Sequence, residues 1–142
     1  TFNYRDLQTG EATVIQGGIM TCNSTSGEPF WYGPYYTLPK GRYLATFYLK
    51  VELLTQDASE HILTLDATQE QGRYGLAHIN VEPDDLDHER TSEGWSKVEL
   101  EFRVEWEEAV VELRGFHPSS DYQIQMGHIL LEPLPDHGRE DP

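Results

Sequence analysis

Alternation by two constrains this chain more than any other feature. Over residues 96–105, Val98, Leu100, Phe102 and Val104 point one way, and Lys97, Glu99, Glu101 and Arg103 the other. Successive side chains of an extended strand leave opposite faces, so the pattern predicts a half-buried antiparallel strand. Residues 42–53 repeat it, with Tyr43, Ala45, Phe47, Leu49, Val51 and Leu53 on one face. Tyr48, Lys50 and Glu52 fall on the opposite face. No helical period holds over a long window, so strands are expected to carry the fold.

Further strands are expected at 12–15, 30–37, 61–67, 74–82, 109–114 and 122–132, separated by turn residues. Pro39-Lys40-Gly41 reads as a tight turn, because Pro sets φ and Gly accepts a positive one. Gly72, Gly94 and Gly115 punctuate in the same way, and 83–93 has room for a helical turn. Many strands joined by such turns predict an all-β, two-sheet antiparallel β-sandwich with jelly-roll topology. One domain is expected over 1–134, followed by a charged, Pro-bearing tail or linker over 135–142. Thr1 in place of Met leads us to expect a piece of a longer protein.

Charge narrows the partners. The formal charge is −15, from 25 acidic against 10 basic side chains. Such a surface repels phosphate backbones and anionic bilayers, so neither nucleic acid nor a membrane is an expected partner. No apolar run reaches the roughly 20 residues that span a bilayer. Eight Tyr, five Phe and three Trp supply the large rings that a disordered chain of this charge would lack. Cys22 stands alone, which excludes an internal disulfide and a Cys-based zinc site. Asn23-Ser24-Thr25 fits the N-glycosylation pattern and equally reads as a polar loop.

The order of segments resembles that of jelly-roll, galactose-binding-like carbohydrate-binding modules. Leu38-Pro39-Lys40-Gly41-Arg42-Tyr43 is similar to their "leucine, proline, glycine, x, tyrosine" strand opening, and Glu93-Gly94-Trp95-Ser96 to their "glycine, tryptophan" opening. The segments 61–66, 110–115 and 125–133 resemble further strands of the same scaffold, so the likeness runs over 11–134. It implies a non-catalytic, carbohydrate-binding accessory domain of a larger extracellular or surface glycan-active protein, with a glycan or neighbouring domain as partner. Many such modules hold a structural calcium, for which Glu11 is the candidate first ligand. Met126-Gly127-His128 stands where the second, an Asp, would fall, so no cofactor is expected. An amide often closes the sugar site, and Gln123 and Gln125 are placed for that.

Sugar recognition asks for flat rings against pyranose C–H faces and fixed polar groups at the rim. Rings in loops or at strand ends are therefore the candidates: Trp31, Tyr32, Tyr74, Trp95 and Tyr122, together with Gln123. Trp31 and Tyr32 lie on opposite faces of a strand, so at most one is expected to be exposed. Trp106 reads as cover over a sheet end, in an acidic turn at 105–108. Catalysis is not expected. The six His include no His-x-His or His-Glu-x-x-His pair, and Asp84-Asp85 and Glu107-Glu108 diverge on a strand. The alternative is a structural or protein-interaction β-sandwich docking a neighbouring domain or subunit.

Overall fold

The computed structural model describes residues 2, 5–9, 13–22, 30–56, 60–70, 73–86, 91, 93–116, 119 and 121–135. Their strands are β1 (Gln8–Thr9), β2 (Thr13–Gln16), β3 (Ile19–Cys22), β4 (Trp31–Tyr32), β5 (Pro34–Leu53), β6 (Leu63–Gln69), β7 (Tyr74–Val81), β8 (Ser96–Phe116) and β9 (Tyr122–Leu134). A 3-10 turn at Pro83–Leu86 follows β7. Glu11, Asn23, Gly72, His88, His117 and the tail at 136–142 lie outside the described residues, so the expectations placed on them do too.

β5 and β8 are long enough, at 20 and 21 residues, to serve two layers. The C-terminal part of β5 pairs with the start of β8, from Gly41↔Val104 to Leu49↔Ser96. β9 flanks β5, and β3 and β2 complete that layer. The start of β5 pairs with the end of β8, which β6 flanks on its other edge, with β7 outside β6. β4 and β1 extend this second layer past Gly115. Where the layers meet, Pro39 and Gly41 face Glu108 and Val104, so Glu105, Trp106 and Glu107 oppose Lys40 alone. This bulge reverses the parity of β8. Val98, Leu100, Phe102 and Val104 are buried before it, and Ala109, Val111 and Leu113 after it. Unpaired residues let both halves keep their apolar side inward while the strand bends.

Three sequence expectations change accordingly. Pro39-Lys40-Gly41 is no tight turn but an irregularity inside β5, because strands on both sides offer the backbone a ladder. A proline is tolerated at such a bulge, where a missing N–H removes no pairing. The stretches 96–105 and 109–114 form one strand, and Trp106 lies in it rather than in a turn. β3 was not anticipated, although Gly17-Gly18 signalled it. Their φ values of 62° and 80° build the two-residue hairpin turn that joins β2 to β3.

The core lies between the layers. Trp31 belongs to it, which corrects its expected place among ligand-binding rings. It is fully buried, 6.1 Å from Phe47 of the opposite layer, and its Nε1–H donates to the Leu113 carbonyl at 2.9 Å. Glycine at 115 makes the room, since a Cβ there would strike the indole. Tyr122 is likewise corrected. It shares the parity of fully buried Ile124 and Met126 and is itself buried.

Candidate functional site

The first layer's solvent side collects the remaining polar and aromatic candidates. At one end of this layer lies a groove of about 300 Å³, lined by Lys50, Val51, Glu52, Leu86, Gly94, Ser96, Gln123 and Gln125. Four of the lining residues are put there by the register of β5 and β9. Lys50 sits opposite Gln125 and Glu52 opposite Gln123 across β5 and β9, and all four alternate with core residues. Gln125 Nε2 donates to the Thr21 hydroxyl at 3.4 Å, which orients that amide.

Trp95, between the lining residues Gly94 and Ser96, is held by a tight turn. The Thr91 hydroxyl accepts from the Trp95 backbone N–H at 3.0 Å, and the Gly94 N–H donates to the Thr91 carbonyl at 3.0 Å. Gly94 adopts a φ of 90°, a conformation that favours glycine. The Ser96 hydroxyl then donates to the Leu86 carbonyl at 3.0 Å and ties the start of β8 to the 3-10 turn. The indole lies over β9, 3.2 Å from where a Cβ on Gly127 would stand. The Lys50 Nζ lies over the ring, 4.7 Å from its centroid. Beyond it Tyr48 and His128 stack at 4.0 Å, with the Lys97 Nζ 5.9 Å from the Tyr48 ring.

Burial lowers the His128 pKa below its ordinary value, because the imidazolium loses water on entering the stack. The unfolded chain therefore takes up a proton more readily than the folded one. The stability His128 contributes is complete above its unfolded pKa of about 6.5 and is lost as pH falls through its lower folded value. Thermal unfolding at pH 7.5 and 5.5 is expected to show a smaller drop in melting temperature for His128→Gln than for the parent chain.

A second polar cluster lies on the outer side of the other layer. Asp66, Glu112 and Thr68 are only 6%, 4% and 2% exposed although they point away from the core. The Arg114 Nε and Nη2 donate to both Asp66 oxygens at 2.9 and 2.7 Å, and the guanidinium lies 5.2 Å from the Phe116 ring. The bond to Asp66 holds the Arg114 pKa above its ordinary value. Tyr35 is skipped by the register between Pro34 and Tyr36 and has a φ of 60°. This bulge aims its phenol at Glu112, to which it donates, and burial followed by the Glu112 charge pushes its pKa up. The Thr68 Oγ1 is buried without a hydrogen-bond partner.

The residues expected from sequence thus separate. Gln123 lines the groove, and Trp95 adjoins it through Lys50, which lines the groove and lies over the indole. Tyr32 is half-buried near Tyr35, and exposed Tyr74 packs edge-on against Trp106 at 5.5 Å. Lys50 and Glu52 were not singled out, though the alternation over 42–53 had already set both, with Tyr48, on the outward face. Among the described residues, no three of His, Cys, Asp and Glu are close enough to hold a metal ion.

No protein-family model matches the chain, and no curated protein matches it. Solved structures do. The carbohydrate-binding module CBM6cm-2 of Cellvibrio mixtus lichenase 5A, in complex with cellotriose, aligns over 94% of this chain and 96% of its own, with 10% identity and a TM-score of 0.58. The C-terminal CBM6 of LamC from Zobellia galactanivorans aligns over 92% and 95%, with 12% identity and a TM-score of 0.52. The CBM22-1 and GH10 modules of Clostridium thermocellum xylanase 10B, complexed with xylohexaose, align over 95% of this chain but 27% of theirs, with 13% identity and a TM-score of 0.54. Identities this low speak for fold alone, and the chain is a β-sandwich of the kind that carbohydrate-binding modules adopt.

Proposed function

We propose that this domain is a non-catalytic carbohydrate-binding module that holds a glycan in the groove beside Trp95, as an accessory part of a larger extracellular glycan-active protein. The observation that carries the reading is the groove itself. Two amides, an ammonium and a carboxylate converge there next to an indole. Sugar hydroxyls both donate and accept, and this lining offers both kinds of partner, while the ring suits a pyranose C–H face. Glycan-array screening followed by calorimetry tests it. Trp95→Ala is expected to weaken binding about fivefold to tenfold, the equivalent of a stacking contact of about 1 kcal/mol or somewhat more. An unchanged far-UV circular dichroism spectrum will separate this loss from unfolding. Silence across plant, bacterial and host glycans would remove the proposal.

The docking alternative has its own observation. Phe2, Tyr36, Leu38, Pro39, Tyr43, Leu131 and Pro133 line an open groove of about 550 Å³. A stable dimer in light scattering, dissociated by Tyr36→Glu, would favour that reading.

A further inference from the structure

We infer that the groove beside Trp95 selects glycans carrying a carboxylate, that is, uronic-acid residues, and that Lys50 is the residue that sets this preference. The inference rests on the sugar-binding reading above and deepens it. Its starting point is an anomaly of charge. The chain has 25 acidic residues and three lysines, yet among the described residues no carboxylate forms an ion pair with Lys50. Glu52 lines the same groove two residues away on the same face of β5, and it makes no salt bridge to Lys50 either. The ammonium instead lies on the indole, an arrangement worth about 0.5–1 kcal/mol at an exposed site.

That position has a consequence for any ligand. Gly127 of β9 lies against the Trp95 ring and the Lys50 Nζ lies over it, so a sugar stacking on the indole meets the ammonium. Stacking displaces the ammonium into the groove, next to the bound ring. A neutral hydroxyl is a modest acceptor for a displaced ammonium. A carboxylate is a better one, because hydrogen bonds between charged partners are roughly twice as strong as neutral ones. Glu52, Gln123 and Gln125 remain for the hydroxyls. The site also lies on the chain's most lysine-rich face, since Lys97 pairs with Tyr48 on the strand next to Lys50. The overall −15 charge acts from farther away and is screened beyond about 8 Å at physiological salt, whereas contact at Lys50 is not.

Calorimetry with oligogalacturonate, oligoalginate and glucuronate-substituted xylo-oligosaccharides, each against the same oligosaccharide after carboxyl reduction, tests this. For at least one pair, the acidic form is expected to bind about tenfold more tightly, the equivalent of about 1.4 kcal/mol. Lys50→Gln is expected to bring the acidic form down to its reduced counterpart, and Lys50→Arg to keep part of the preference. Reduced forms that bind as tightly as the acidic ones, or a preference that survives Lys50→Gln, would overturn the inference while leaving the sugar-binding reading intact. Failure of every form, acidic and reduced, would sink both.

Discussion

Trp31→Ala is expected to lower folding stability by about 3–5 kcal/mol, the usual cost of emptying a buried aromatic site. The indole bridges the two layers between Phe30 at 4.9 Å and Phe47 at 6.1 Å, and its N–H supplies the Leu113 carbonyl with a donor. Since domains of this size are held by roughly 5–15 kcal/mol, the variant should sit near the edge of folding at 37 °C. Gly115→Ala attacks the same contact from the other side by adding a methyl group where the indole lies. Overpacking of that kind costs about 1–3 kcal/mol, and here it should fall at the upper end because the residue sits in a strand paired on both edges. Urea titration of both single variants and the double variant provides a check. The penalty of Gly115→Ala should largely vanish once Trp31 is alanine, because the clash needs both partners. Additive penalties would show that the indole does not lie over Gly115.

The second large effect concerns Asp66 and Arg114. Arg114→Ala leaves a carboxylate with 9% side-chain exposure facing no cation, whereas Arg114 itself is 27% exposed. Fully buried pairs lose about 3–5 kcal/mol when one partner is removed, and the partial exposure of Arg114 reduces this to about 2–3 kcal/mol. Denaturant melting should show Asp66→Asn to be milder than Arg114→Ala, because an amide can keep one hydrogen bond and buries no charge. The double replacement Asp66→Leu with Arg114→Met should recover much of the loss, since it removes both desolvation costs at once. If Arg114→Ala proves neutral, the pair is solvated in solution and the polar cluster carries no stability.

The stretches over 42–53 and 96–105 were legible because burial on one side writes a period of two directly into residue type. Their pairing was not, since a period says which face is apolar but not which neighbour lies alongside. The bulge at Glu105–Trp106–Glu107 shows the limit well. Three exposed residues between two alternating runs read as a turn, and only the continuous partner β5 makes them part of a strand. For the site, local reading ranked rings by their nearness to turns, which is why Trp31 was expected outside. Nothing local to Trp31 signals that Gly115, 84 positions away, leaves a slot for it.

By itself, then, the amino-acid order determined that this chain forms antiparallel layers with one apolar side each, because side-chain alternation is a property of any extended backbone. It also determined that Lys50 and Glu52 share a face, because they stand two positions apart. Tertiary structure alone decided that Trp95, Gln123 and Gln125 meet them there. That convergence requires β8 and β9 to approach β5 from separate directions, and long-range register across three strands is set by core packing rather than by any short segment.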